Sequence, residues 1–401
     1  MERNSESPDR GRAETPPDPP RRVPLAQIVA YFLRLGALGF GGPVALCAQM
    51  ERELVGEKGW LSKTEMREAI AVSQSMPGPL AIQVGIFAAH MRGGFWGAWA
   101  GGWAFILPNF LIVATLGALY VHFGDLPWMT AVFYGVAPVV IALIVHSCWR
   151  LARLGMEDWL QWAIAAVAFG LTVTLQAEVA LVFIGAGLIG LLYYGSILRR
   201  PGFAAVAAPV VGAGHAASAS TLGKLALFFL KAGSLTFGSG LVIVPFLEKG
   251  LVQENGWLSQ RAFLIAVAVG MLSPGPVVIT ATFVGFLVAG FWGSLVSTVA
   301  IFLPSFLFVL VAAPLLQRHR GNANVQGFIK GAYGAAIGTI LGASVLLGKV
   351  AIGDVLTGAL ALGALGLLFR FKISNPALIA AAGLIGLIAF PILKPTWVLM
   401  K

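Results

Sequence analysis

The sequence predicts an all-α, polytopic integral membrane protein made of two homologous halves, and three observations predict it. Of the 401 residues, 58% are hydrophobic and only 11% charged, against roughly a quarter charged in ordinary soluble domains. Apolar windows of about 20 residues, each long enough to cross a bilayer as a helix, recur along nearly the whole length. The stretch 51–62 (ERELVGEKGWLS) returns at 248–259 (EKGLVQENGWLS) with eight of twelve positions identical.

The match extends on both sides at an offset of 197 and then 196. Phe40-Gly41 answers Phe237-Gly238, and Pro77-Gly78-Pro79 answers Pro274-Gly275-Pro276. Gly94-Phe95-Trp96-Gly97 answers Gly290-Phe291-Trp292-Gly293, and Leu107-Pro108 with Phe110 answers Leu303-Pro304 with Phe306. A period this long is far outside the solenoid range and marks a duplicated domain. In a membrane protein such a duplication lets one site face two ways.

Taken in order, residues 1–24 are polar, Pro-rich and arginine-bearing, without the apolar core of a signal peptide; they read as a disordered cytoplasmic tail. The first repeat, 25–196, holds apolar segments at 25–50, 69–90, 94–121, 128–149, 159–176 and 179–196. A weakly apolar linker follows at 197–221, of which 203–220 could just cross a thin membrane. The second repeat, 222–395, has segments at 222–247, 263–288, 291–316, 326–348, 351–369 and 375–393, and 396–401 is a short tail. Fifty glycines suit close helix packing in lipid. Cys47 and Cys148 lie in apolar stretches and read as packing residues.

The net charge of +10 reflects topology and not nucleic-acid binding, because Lys and Arg concentrate in short connections. In the first half, the link after segment four carries Arg150 and Arg153, while those after segments three and five carry none. In the second half, the link after segment three has Arg318, Arg320 and nearby Lys330, and that after segment five has Arg370 and Lys372; the link after segment four has only Lys349. The rich and poor sides have exchanged, so the positive-inside rule predicts an inverted repeat. Either 203–220 crosses, or one segment in each half enters and returns. Arg150 and Arg318 should share a side.

Segments one and two of each half are interrupted. Gly41, Gly42 and Pro43 break the first, with Gly238, Ser239 and Gly240 at the matching place. Pro77, Gly78 and Pro79 break the second, with Pro274, Gly275 and Pro276 in answer. Proline removes a donor and clashes with the preceding turn. Unwound backbone at membrane depth must be buried in protein or line a wet cavity. Each break also makes a helix N-terminus that suits an anion. Matched breaks in two halves are the best pointer in a sequence to a transport site, although a simple packing kink is the plainer alternative.

Arg34 and Lys231 occupy equivalent places in segment one. A cation inside a span costs about 2.5–3.5 kcal/mol on insertion scales, so it either has a task or snorkels to the interface. No Asp or Glu is expected deep within any segment, which would leave fixed positive charge along an anion pathway. Asn109 and Ser305 follow matched prolines and offer polar contacts, as do Gln49, Gln74 and Gln83, unless these are ordinary helix–helix hydrogen bonds. Trp60 and Trp257 suit an interface belt, and the link that carries each is a short amphipathic helix or a gate. His90 and His146 have no counterparts across the repeat and read as interfacial. No Walker loop, HExxH or GxSxG is present, so neither ATP hydrolysis nor an enzyme is expected, and no cofactor or metal.

The motifs Phe40-Gly41-Gly42-Pro43, Glu51 with Gly59-Trp60-Leu61, Pro77-Gly78-Pro79, Phe95-Trp96-Gly97 and Leu107-Pro108, repeated downstream, together resemble the chromate ion transporter family in its long, two-domain form. The resemblance covers about 25–395. It implies export of chromate from the cytoplasm down the membrane potential, chromate resistance, and fused halves of opposite topology. Phe237-Gly238-Ser239-Gly240 lacks the proline of the first half, so the two half-sites are not equivalent. The expected partners are chromate or a related oxyanion and the lipid bilayer of the inner (plasma) membrane, with a homodimer left open. A sulfate or other tetrahedral-oxyanion transporter, an anion channel and a membrane scaffold are the alternatives.

Overall fold

The computed structural model describes residues 22–39, 42–74, 76–123, 127–175, 179–195, 220–238, 243–312, 323–371 and 373–393. Most of the two expected tails and of the linker at 197–221, together with Gly41, Ser239 and Gly240, lies outside the described residues. The fold is helical as expected, apart from a two-residue strand at one break in each half. Five described helices are long and apolar enough to cross a membrane.

In the first half, α1 (Leu25–Leu38) ends where Gly39 turns extended, and α2 (Gly42–Met50) runs directly into a π-helical turn, π1 (Glu51–Glu57). Pro43 falls in the first turn of α2, where a missing amide costs nothing. Trp60 then packs edge-on against Tyr31 of α1, ring centroids 5.6 Å apart. Segment one therefore enters, unwinds and returns beside its own start. Next, α3 (Lys63–Gln74) opens with a capping box: the Glu65 amide donates to Ser62 Oγ, and the Ser62 amide donates to the Glu65 carboxylate. It ends at the Pro-Gly-Pro break, where Gly78–Pro79 forms β1.

Helix α4 (Leu80–Phe123) reverses at Gly94, whose φ of 62° and ψ of −154° no helix contains. Its arms 80–93 and 95–123 lie antiparallel. The Cβ direction of Gly85 meets the Phe105 ring, and that of Gly101 meets Ala89. Three helices complete the half: α5 (Pro127–Gly155), α6 (Trp159–Leu175) and α7 (Val179–Tyr194).

The second half repeats this plan. It contains α8 (Thr221–Leu235), β2 (Phe237–Gly238), α9 (Val244–Glu248), π2 (Lys249–Glu254) and α10 (Gln260–Leu272). A 3₁₀ turn at Val277–Ile279 leads into α11 (Thr280–Leu307), which reverses at Gly290, φ 60°. A π-helical turn, π3 (Phe308–Ala312), α12 (Ala323–Ala351), α13 (Val355–Arg370) and α14 (Asn375–Leu393) follow. Positive φ falls on Gly59 and Gly256, Gly78 and Gly275, and Gly94 and Gly290. The repeat is thus kept in backbone conformation.

The halves interpenetrate. Helix α12 packs on α6 and α7, and its equivalent α5 packs on α13 and α14. The close approaches are glycines against carbonyls: Gly331 against Ala186, and Gly135 against Ala382. The second arms of α4 and α11 run antiparallel. Trp99, near the start of one, stacks on Phe306, near the end of the other, and Phe110 meets Phe291. This is the inverted repeat. It also brings the end of α5 beside the start of α12, where Lys330 pairs with Glu157, so the basic connections around Arg150 and Lys330 share one end of the molecule.

A helical hairpin crossing at mid-depth

The two breaks meet at the centre. Strand β1 pairs in parallel with β2, Gly78 beside Phe237 and Pro79 beside Gly238. The Gly78 amide donates to the Thr236 carbonyl, and the Gly275 amide donates to the Gly39 carbonyl at 2.7 Å. Gly78 is equivalent to Gly275, and Gly39 to Thr236. Each Pro-Gly-Pro therefore grips the carbonyl where the first helix of the other half stops. These two amides pin the halves together and are not bare, so an anion would meet the first-turn amides of the helices that follow Pro79 and Pro276.

Both central glycines are required by conformation and by space. Gly78 has φ +133° and Gly275 φ +87°, values that L side chains rarely adopt. A Cβ on Gly78 would lie 2.2 Å from Gln83 Nε2 and 3.0 Å from Ser305 Oγ, and one on Gly275 would lie 2.8 Å from Asn109 Nδ2. Asn109 and Ser305 are equivalent residues, and each addresses the break of the opposite half. Both are fully buried, and Asn109 Nδ2 and Oδ1 and Ser305 Oγ have no hydrogen-bond partner. Gln83 donates to the Pro77 carbonyl, while its buried Oε1 and the Ser73 hydroxyl also lack partners. A buried polar group left unpaired costs about 1–3 kcal/mol. Unpaired groups of this kind are rare in a folded interior and call for an explanation.

The other expected residues lie around this crossing. Gly42 and Pro43 begin α2, and Gly238 lies in β2. Pro274 and Pro276 are buried, and Gln74 is exposed at the end of α3. Arg34 is not a lone buried cation: its side chain is 54% exposed and pairs with Glu53 at 2.6 Å. Gln49 donates to the other Glu53 oxygen at 3.0 Å. Lys231 is exposed, with its ammonium 5.7 Å from the Phe246 ring centroid. Cys47 and Cys148 are buried and free.

The expected segments hold no deep carboxylate, but the positive charge they carry does not stand alone. Glu53 and Glu248 are both buried, each on a returning arm, and Gln253 donates to the Glu248 carboxylate at 3.0 Å. Both stand in the connections that follow segment one of each half, where nothing in the sequence signals burial. Arg92 was also missed. It is buried, pairs with Glu65 at 2.6 Å and donates to the Trp60 carbonyl. An arginine two residues before the reversal at Gly94, opposite a capping-box glutamate, was the available signal.

Inverted halves, exchanged helices and two breaks that meet between the halves fit a membrane transporter of the inverted-repeat class. The family model described as chromate transporter matches residues 26–191 and again 223–387, and the chain belongs to that family. It is 44% identical over 377 residues to a chromate transport protein of Cupriavidus metallidurans, covering 92% of this chain and 94% of that one. It is 42% identical over 374 residues to a probable chromate transport protein of Synechococcus elongatus, covering 91% and 95%. A chromate transport protein of Pseudomonas aeruginosa is 32% identical over 395 residues, 93% of this chain and 94% of the other. No solved structure matches.

Proposed function

We propose that this chain exports chromate, or a tetrahedral oxyanion of the same size and charge, from the cytoplasm across the plasma membrane, and thereby confers chromate resistance. The observation that carries the reading is the pair Asn109 and Ser305, buried, unpartnered and set against the opposite breaks. Amide and hydroxyl donors together with two helix N-termini bind an anion without an enclosed metal or cofactor. The half-sites are chemically unequal, Asn109 and Gln83 standing where the other half has Ser305 and Thr280. The solute is held more firmly from one side.

Direction follows from charge. Moving one charge through 100 mV is worth about 2.3 kcal/mol, so a dianion leaving an inside-negative cell gains roughly 4.6. The end that carries Arg150, Arg153 and Lys330 is cytoplasmic by the positive-inside rule. Val23 donates to the Arg92 carbonyl near the Gly94 reversal, which supports a cytoplasmic N-terminus as well. The repeats at 25–196 and 222–395 act as the two half-transporters, and the chain is not an enzyme.

Inside-out vesicles test this. Labelled chromate should enter saturably, faster with an imposed inside-positive potential, and sulfate should compete if size and charge alone are read. Uptake no greater than in control vesicles contradicts the reading, and flux that never saturates favours a channel.

A further inference from the structure

The two halves are alike in fold but not in packing. Helix α10 of the second half lies on α5, α12 and α14, besides α11 and π2 of its own half. Its equivalent α3 packs on α4, π1 and β2. Residues buried in both helices, Met66 with Phe263, Ala69 with Ala266 and Val72 with Val269, account for the contacts both make within their own halves. Other positions are buried in α10 alone. Leu264, Val267 and Met271 are buried, whereas their equivalents Arg67 and Gln74 are exposed and Ile70 is half-buried. The face of α3 so uncovered is the one that, by the repeat, points at the bundle of α5, α7 and α12.

The sequence of that face is not what a packed surface needs. At 100° per residue, Lys63, Arg67, Ile70 and Gln74 fall within about 60° of one another. Lys63, Arg67 and Gln74 are exposed. The acids of the helix point elsewhere, Glu65 and Glu68 lying roughly 140–200° from Lys63, and Glu65 is held by Arg92. Basic and acidic residues are thus sorted to different faces, and the basic stripe runs from the Arg-rich end of the molecule down to Gln74, beside the Pro-Gly-Pro break. In the second half the matching positions beyond the exposed Gln260, namely Leu264, Val267 and Met271, are apolar and buried, and Arg261 fastens the start of α10 to Thr130 of α5 at 2.9 Å.

We propose that the stripe Lys63–Arg67–Gln74 lines a water-filled entrance that draws anions from the cytoplasmic end to the crossing, and that α10 shuts the opposite entrance in this structure. The identity of the anion rests on the function proposed above; the existence of the entrance does not. Positive charge along one wall of a narrow cleft raises the local anion concentration and the rate of capture, an effect that salt weakens.

Cysteines introduced singly into the full chain, Ile70→Cys, Gln74→Cys, Val267→Cys and Met271→Cys, test the geometry with a membrane-impermeant thiol reagent, with the unmodified chain as control. In inside-out vesicles, positions 70 and 74 should label at least tenfold faster than 267 and 271. Equal rates, or faster labelling at 267 and 271, overturn the entrance. For the charge, Arg67→Gln should raise the half-saturating chromate concentration three- to tenfold at low ionic strength and less at high, with the maximal rate kept and Arg67→Lys close to the parent. A salt dependence identical to the parent overturns the role of the stripe. Absence of chromate uptake by the parent, with the labelling pattern intact, overturns the substrate reading and leaves the entrance standing.

Discussion

At Gly275 a hydrogen atom is the only side chain the crossing tolerates. Its φ of +87° and the 2.8 Å from a Cβ to Asn109 Nδ2 act together. Strain of this kind costs about 1–3 kcal/mol. Gly275→Ala should lower the thermal midpoint in detergent by several degrees and abolish chromate uptake, with Gly78→Ala doing the same. Glu65 sets a pH dependence of another sort. Burial alone would raise its carboxyl, but the Arg92 guanidinium and the Ser62 amide outweigh burial and hold it below the usual carboxylate range. A depressed carboxylate stabilises the fold above its unfolded value of roughly 4.3, and that contribution is lost as pH falls through the folded value. Glu65→Gln should therefore destabilise the protein at pH 7 by about 1–3 kcal/mol and flatten the fall in midpoint that the parent shows on acidification below pH 4. A parent-like acid profile in Glu65→Gln would rule the pair out as its source. The glycines of this site were legible in the sequence because the same tripeptide occurs twice. The Arg92–Glu65 pair was not, because it has no twin: Val288 and Ala262 stand at the equivalent places.

Among the elements, the breaks were readable from Pro and Gly, which cannot continue a helix. What they do was only half readable. Both interrupted segments were expected to carry unwound backbone, and they do. That Gly94 and Gly290 reverse the chain was hidden, since a glycine in an apolar run looks the same whether the helix continues or folds back. Burial of the acids Glu53 and Glu248 on the returning arms was hidden too, since they stand in the connections outside the expected segments. The exchange of α5 and α12 between halves left no periodicity at all. It depends on glycines that admit a neighbouring carbonyl, 2.0 Å from the Cβ direction at both Gly135 and Gly331. Gly331→Val should thus prevent accumulation of folded protein, while Gly170→Ala, with open space at that position, should be neutral. The comparison is read from the monodisperse fraction after detergent extraction.

For the molecule as a whole, the charge of the connections gave the inversion, and the antiparallel arms of α4 and α11 carry it out. Because α5 and α12 each pack on the last two helices of the other half, neither half has a finished surface alone. Residues 1–200 and 201–401 expressed as separate chains should accumulate only when made together, and then restore uptake; stable accumulation of either alone would contradict the exchange. Composition and repetition made the class of protein legible. Which break faces which was not, since the sequence holds no record of that pairing.

The central claim is that the solute is held at this crossing by the side chains that the two breaks leave unpaired. The half-saturating chromate concentration of Asn109→Ala in inside-out vesicles tests it most directly. Hydrogen bonds to a charged partner are worth about 1.5–3 kcal/mol, so the value should rise roughly tenfold to a hundredfold at unchanged protein level. An unchanged half-saturation would place the solute somewhere else.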